Sequence, residues 1–148
     1  LDKAVALSVE FLLPSDNLIS QHKNGAWADP KVNSKNDIPD GEEGVDIGPA
    51  TRTRYAEAIA GAKTILWNGP MGIFENPRFA DGTLAVARAV AGATNAGSIS
   101  IIGGGDSVKA LNQSGLADEV TFMSTGGGAS LKFLEGKELP GVAALTDR

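Results

Sequence analysis

The sequence lacks cysteine, and it has a single histidine among its 148 residues. The absence of cysteine excludes disulfides, thiolate catalysis and cysteine zinc sites within this chain. Chemistry that needs an imidazole would depend on His22, which stands in a polar stretch from Ser20 to Asn24. We interpret His22 as a surface residue of a polar turn rather than as a catalytic base or metal ligand.

An excess of basic residues is also missing, because the net charge is -5 and the isoelectric point is about 4.8. Nucleic-acid-binding proteins usually carry a basic surface that replaces the counterions of phosphate groups. No apolar run approaches the roughly 18 residues that suggest a membrane span, and the first residues do not form a signal peptide. We therefore expect a cytoplasmic protein with neither nucleic acid nor membrane as a partner.

The composition that is present is that of a folded domain. Hydrophobic residues make up 42% and charged residues 21% of the chain, and the length suits one domain rather than two. The chain begins at Leu1 instead of Met, in a run with helical character. We expect from this start that the sequence is a fragment or a cleaved product.

Short apolar runs alternate along the chain with amphipathic helical runs. Residues 21–48 interrupt this pattern and predict an irregular or hairpin-like excursion, with a turn at Pro39-Asp40-Gly41. The order strand, glycine loop and helix is repeated, which predicts a parallel α/β sheet. The predicted strands are 9–13, 17–20, 64–67, 98–102 and 120–124. The predicted helices are 51–62, 81–93 with Asp81 as a cap, 107–113 and 129–135.

Three of the predicted strands end in unusual loops, at residues 67–75, 103–107 and 124–130. The carboxyl ends of parallel strands share one edge of a sheet, so we expect these loops to converge. Glycine has no Cβ, which lets the backbone N–H groups approach a phosphate at the start of the following helix. Asp106 stands at such a junction, where a carboxylate beside a phosphate suggests a bridging Mg²⁺.

A purely structural interpretation of these loops stays open at this point. Glycines are common at strand-to-helix turns for steric reasons, and Asp106 could serve only as a helix cap. Two familiar nucleotide motifs are excluded: Val108 breaks the dinucleotide glycine fingerprint, and Glu138 follows Lys137 where a P-loop needs serine or threonine.

Taken together, the motifs resemble those of phosphoglycerate kinases. The matching segments follow the family's order and spacing over nearly all of the chain, and they are 38–41, 46–49, 67–75, 103–107, 124–130 and 134–142. The resemblance implies an α/β fold that forms a three-layer, parallel-sheet, Rossmann-like half of the family's C-terminal domain. Residues 1–148 would then belong to the nucleotide-binding domain, with the N-terminal substrate domain and the start of the nucleotide domain absent.

The resemblance also implies roles for individual residues. Glu75 matches a glutamate that holds the ribose hydroxyls of the nucleotide, and Asn68 matches a residue near its phosphates. The backbone N–H groups of Gly126 and Gly127 match those that stabilise the transferred phosphoryl group. The residues that match the phosphate loop are Gly104, Gly105, Asp106 and Ser107, with Asp106 as the Mg²⁺ ligand.

The family's reaction is the reversible phosphoryl transfer from 1,3-bisphosphoglycerate to ADP, which gives 3-phosphoglycerate and ATP in glycolysis. The resemblance implies a monomeric phosphotransferase with a carboxyl group as acceptor and with Mg²⁺ and ADP or ATP as its cofactors. The family's phosphoglycerate pocket and phosphate-binding lysine are missing, and Lys63 precedes a different strand. We expect the chain to be inactive alone. A weak nucleotide-binding module and a structural remnant are the alternatives.

Overall fold

The computed structural model describes residues 1–35 and 37–145. The chain forms two compact units. The first comprises Leu1–Ala58 and Met71–Val86, and the second comprises Ile59–Pro70 and Ala87–Arg148. Each unit combines helices with a small sheet. The helices are α1 (Asp2–Ala6), α2 (Pro49–Ala60), α3 (Asp81–Asn95), α4 (Gly105–Ser114), α5 (Gly127–Leu134) and α6 (Pro140–Ala143).

The strands are short. They are β1 (Asn17–Ser20), β2 (His22–Lys23), β3 (Ala26–Trp27), β4 (Lys31–Asn33), β5 (Glu43–Ile47), β6 (Thr64–Asn68), β7 (Ile99–Gly103) and β8 (Phe122–Ser124). None of the helices within residues 1–35 and 37–145 has the length and apolar character that crossing a bilayer requires.

The first unit contains an antiparallel sheet in the order β4-β1-β5, in which Leu18 lies opposite both Val32 and Asp46. Strands β2 and β3 form a separate hairpin that begins immediately after β1. The edge of the Trp27 ring packs on Phe79, with 5.4 Å between ring centroids, and Phe79 is fully buried. The predicted hairpin-like excursion is therefore confirmed for β2 and β3, as is the turn at Gly41, whose φ is +78°.

Two predictions for the first unit are wrong. Residues 9–13 form no strand in this structure, because the carbonyls of Leu12 and Leu13 bond the Tyr55 hydroxyl and the Arg54 guanidinium instead of a neighbouring strand. Strand β5 was predicted as part of the irregular stretch. It forms because β1 supplies hydrogen-bond partners, a long-range effect that the local composition of β5 does not reveal.

The cap predicted for α3 is also supplied by a different residue. Asp81 is the first helical residue, and its carboxylate forms an ion pair with Arg52 at 3.2 Å. The carboxylate that accepts the N–H of Gly82, at 2.6 Å, belongs to Asp46 in β5. Because Asp46 lies 36 residues from Gly82 in sequence, the tertiary fold rather than the local motif provides the cap.

The second unit contains the predicted parallel sheet, in the order β6-β7-β8. Side chains alternate between its two faces, so Ile65, Trp67 and Ile102 are buried on one face. The other face carries Leu66 and Ile101, which are less buried, and it forms one wall of an apolar groove of about 400 Å³. The fold is thus mixed α/β with a three-stranded parallel sheet.

Candidate functional site

The three strands of the parallel sheet end at one level. Asn68 is the last residue of β6 and pairs with Gly103, the last residue of β7. Gly103 in turn pairs with Ser124, the last residue of β8. The three loops that follow therefore start side by side at the carboxyl edge of the sheet, which confirms the predicted convergence of their first residues.

The two glycine loops touch each other at this edge. Gly104 has a φ of +92°, a conformation that favours glycine, and its N–H donates to the Ser124 carbonyl at 2.9 Å. A Cβ on Gly127 would lie 2.7 Å from Gly104 Cα and 2.8 Å from Gly104 N. Only the absence of a side chain on Gly127 lets these two backbones approach so closely.

The side chain of Asn68 joins the same junction. Its Oδ1 atom would lie 2.5 Å from a Cβ on Gly127 and 2.7 Å from a Cβ on Gly104. The Asn68 amide thus occupies the volume that both glycines leave empty. Three residues that the sequence places in three separate loops, Asn68, Gly104 and Gly127, form one packed cluster, which we call the glycine junction.

Two helices begin at the glycine junction. Gly104 is the N-cap of α4 and Gly126 is the N-cap of α5, and neither residue has a side chain that could bond the first helical amides. Within the described part of the chain, the N–H groups of Gly105, Asp106 and Gly128 donate no hydrogen bond. The partial positive charge of two helix N-termini and their free N–H groups are therefore available to an anion.

The remaining residues of the predicted phosphate loop differ in accessibility. Gly105 and Asp106 are exposed in the first turn of α4, and the Asp106 carboxylate bonds no described residue. Ser107 is 1% exposed, and its hydroxyl accepts the N–H of Gly69 at 2.7 Å. Gly126 donates its N–H to the Ser124 hydroxyl at 3.2 Å, so this N–H group already has a partner.

Glu75 belongs to the first unit, where it is exposed in the turn before the short helix Pro77–Phe79. Its predicted contact with the ribose stays a prediction. The described residues contain no group of three histidine, aspartate or glutamate side chains that could hold a metal ion without help. Asp106 offers an exposed carboxylate in the first turn of α4, the helix that begins at the glycine junction. One or two carboxylates plus phosphate oxygens are what Mg²⁺ usually takes in nucleotide sites.

Two buried carboxylates in the first unit are structural, and sequence reasoning gave them no role. Asp16 accepts the N–H groups of Ala50 and Thr51, at 2.9 and 2.7 Å, and the Thr51 hydroxyl at 2.6 Å. Burial would raise the pKa of Asp16, but these hydrogen bonds outweigh it and hold the pKa below 3.8. Both Asp16 and Asp46 cap helices from distant strands or loops, which explains their burial without a chemical function.

Comparison with known proteins finds one family that this chain matches. A family model described as phosphoglycerate kinase matches residues 1–137. The phosphoglycerate kinase of Chlorobium limicola is 56% identical over 147 residues, which cover 99% of this chain and 37% of that protein. The phosphoglycerate kinase of Clostridium novyi is 53% identical over 148 residues, which cover 100% of this chain and 36% of that protein.

Solved structures agree with the sequence comparison. The phosphoglycerate kinase from Coxiella burnetii has a TM-score of 0.83 at 40% identity, over 96% of this chain and 36% of that one. The phosphoglycerate kinase from Pyrococcus horikoshii has a TM-score of 0.71 at 34% identity, over 89% of this chain and 31% of that one. The chain therefore spans about a third of the length of the relatives that it matches.

Proposed function

Because this chain belongs to the phosphoglycerate kinase family, we propose that it supplies the nucleotide-phosphate site of an enzyme that converts 1,3-bisphosphoglycerate and ADP into 3-phosphoglycerate and ATP. The enzyme would be a phosphotransferase with a carboxyl group as acceptor, monomeric and cytoplasmic. One observation carries the proposal: two helix N-termini with free N–H groups meet around Asn68 at the carboxyl edge of a parallel sheet.

The proposed role of the backbone follows from the charge that phosphoryl transfer develops. The transferred group passes through a transition state whose negative charge is spread over its oxygens, so fixed donors aimed at those oxygens lower the barrier. The N–H groups at the start of α4, from Gly105 and Asp106, would hold the phosphates of ADP or ATP. Those at the start of α5, with Gly127 foremost, would face the transferred group. Gly126 would contribute only if its N–H exchanged the Ser124 hydroxyl for a phosphate oxygen.

The remaining site residues fit the same scheme. Asp106 would be the protein ligand of a Mg²⁺ ion, which when bound neutralises phosphate charge. Its exposure and its lack of a bond to any described residue support this role. Asn68 would contact the nucleotide phosphates from the glycine junction, and Glu75 would hold the ribose hydroxyls. Ser107 would act from beneath the loop, because its hydroxyl is buried.

We further propose that residues 1–148 are one part of a three-layer, Rossmann-like nucleotide-binding domain. Parallel sheets are normally covered on both faces, yet Leu66 and Ile101 line an open apolar groove here. Phe133 contributes to the same groove and is 68% exposed. These exposed apolar surfaces suit a domain in which further elements cover them.

The proposed function is tested by comparing two proteins. One is the 148-residue chain, and the other is a protein of the relatives' length that carries this segment, called here the full-length protein. With ADP, Mg²⁺ and 1,3-bisphosphoglycerate, the full-length protein should form ATP, whereas the chain alone should not. In-line alignment of both reactants supplies roughly 7–11 kcal/mol of barrier lowering, and the chain can hold only one reactant.

The activity of the full-length protein and the inactivity of the chain alone are tested separately. A full-length protein that binds no ADP and forms no ATP would remove the proposed function. ATP formation by a preparation of the chain, shown by mass to hold no longer species, would instead refute the claim that the chain is inactive alone. Binding of ADP by the chain without turnover favours the module interpretation.

A further inference from the structure

Gly69, which follows Asn68 in the first of the three loops, is held from both sides. Its N–H donates to the buried Ser107 hydroxyl at 2.7 Å, and its carbonyl accepts the Trp67 indole N–H, also at 2.7 Å. Gly69 has a φ of +109°, a conformation that residues with a side chain rarely adopt. The two bonds fix this unusual turn immediately after the Asn68 backbone.

Both partners of Gly69 are rigidly placed. Trp67 is 5% exposed and lies in β6, and Ser107 is 1% exposed and lies in the first turn of α4. The Ser107 bond therefore links the loop after β6 to the first turn of α4. A hydroxyl so deeply buried suits a role in holding the protein backbone better than direct contact with a phosphate in solvent.

The position of Asn68 depends on the turn that Gly69 makes. Asn68 Oδ1 occupies the space that a Cβ on Gly104 or on Gly127 would need, so its position depends on glycine at both places. A small rotation of the Asn68–Gly69 backbone would move this amide out of the glycine junction. Reacting or binding groups that are misplaced by even 1 Å commonly lose a large part of their effect.

We propose that Trp67 and Ser107 are positioning residues that lock Gly69 and thereby set the Asn68 amide and the glycine junction for nucleotide phosphate. We call this arrangement the Gly69 clamp. The expected effect of the Gly69 clamp on nucleotide binding rests on the proposed function, whereas the two hydrogen bonds to Gly69 do not. Trp67 did not emerge as a site residue from the sequence, in which it simply ends an apolar strand.

A double-mutant cycle in the full-length protein tests the clamp. Trp67→Phe keeps most of the ring but removes the donor, and Ser107→Ala removes the acceptor. Each should raise the KM for ADP by about fivefold, the effect of losing one ordinary hydrogen bond, without changing the KM for the phosphoglycerate substrate. The double variant should resemble either single variant, because both bonds restrain the same residue.

Two further variants sharpen the experiment. Ser107→Thr retains the hydroxyl, so its KM for ADP should equal that of the wild type. If Trp67→Phe fails to fold, the comparison of Ser107→Ala with Ser107→Thr still tests the clamp. Ser114→Ala is the matched control, because this hydroxyl donates to the Leu111 carbonyl at the other end of α4, away from Gly69. It should leave the KM for ADP unchanged.

Hydrogen exchange gives a readout that does not depend on nucleotide. The Gly69 amide should be protected in the wild type and in Ser107→Thr, and it should exchange faster in Ser107→Ala and Trp67→Phe. A full-length protein that binds no ADP would overturn the proposed function, while exchange at Gly69 would still decide the clamp. Additive effects in the double variant, a silent Trp67→Phe or unchanged exchange at Gly69 would each overturn the clamp.

Discussion

Gly82 donates its backbone N–H to the carboxylate of Asp46 at 2.6 Å, and a side chain on Gly82 would collide with that carboxylate. The Asp46 side chain is completely buried and also accepts its neighbour's amide, from Ile47, at 2.8 Å. Arg52 approaches it at 3.4 Å. Burial outweighs these stabilising partners, so the pKa of Asp46 is raised above 3.8.

Removal of the Asp46 carboxylate should destabilise the first unit. Asp46→Ala leaves the Gly82 amide without its acceptor and Arg52 without its buried partner, so we expect a loss of about 1–3 kcal/mol in the free energy of unfolding. Asp81→Ala is the matched control, because Asp81 pairs with the same arginine but its side chain is 66% exposed. It should cost less than about 0.5 kcal/mol. Thermal unfolding of the full-length protein measures both, and equal losses would contradict the assigned cap.

Asp16 should make stability depend on acid pH. Its pKa is lowered in the folded protein, so its contribution is present above the ordinary value of 3.8 and is lost as the pH falls through the folded pKa. Asp16→Asn should therefore lower the melting temperature near neutral pH, and the gap to the wild type should close below pH 3.8. Asp46 acts in the opposite direction, because its raised pKa makes its charged form costly as the pH rises from 3.8.

Melting curves of the wild type, Asp16→Asn and Asp46→Asn between about pH 2 and pH 7 separate these two contributions. If the difference in melting temperature between Asp16→Asn and the wild type stayed constant over this range, the charge of Asp16 would not contribute to stability. The Asp46→Asn gap should shift in favour of the variant as the pH rises.

Substitution of Gly127 should damage the glycine junction. A methyl group would meet Asn68 Oδ1 at 2.5 Å and the Gly104 backbone at 2.7 Å, and backbone cannot move aside cheaply. We expect Gly127→Ala to lower kcat/KM for ADP at least about tenfold, which is roughly 1.4 kcal/mol. Gly92→Ala in α3 is the control, because nothing lies within 4 Å of its missing Cβ and it is no part of the glycine junction. Steady-state kinetics of both variants decide the matter, and equal activity would remove the steric role of Gly127.

Loss of the Asp106 carboxylate should lower turnover without affecting the fold. Asp106 is exposed and bonds no described residue, so Asp106→Ala should unfold at the wild-type temperature. If Asp106 holds Mg²⁺, kcat should fall sharply and the dependence on Mg²⁺ concentration should weaken. Asp118→Ala, another exposed carboxylate of the same unit, serves as the control. Activity within about twofold of the wild type, well under 1 kcal/mol of barrier, would show the role to be wrongly assigned.

The parallel sheet and the convergence of its loops could be predicted from the amino-acid sequence. Strands 64–67, 98–102 and 120–124 were predicted to within two residues, because each is a short apolar run closed by glycines. Once the strands are parallel, their carboxyl ends must share an edge, and the loops follow from that constraint. The family resemblance also lay in these loops, since backbone approach to a phosphate restricts both the residue type and its spacing.

Which distant groups complete each helix and strand could be seen only in the folded structure. Strand β5 forms because β1 pairs with it, and the carbonyls of Leu12 and Leu13 bond side chains of α2 instead of a strand. Asp46 rather than Asp81 caps α3, and the buried Ser107 bonds Gly69 across 38 residues. The local sequence shows the hydrophobic periodicity of a segment. It does not show which distant residues become its hydrogen-bond partners, because these come close only when the backbone has folded.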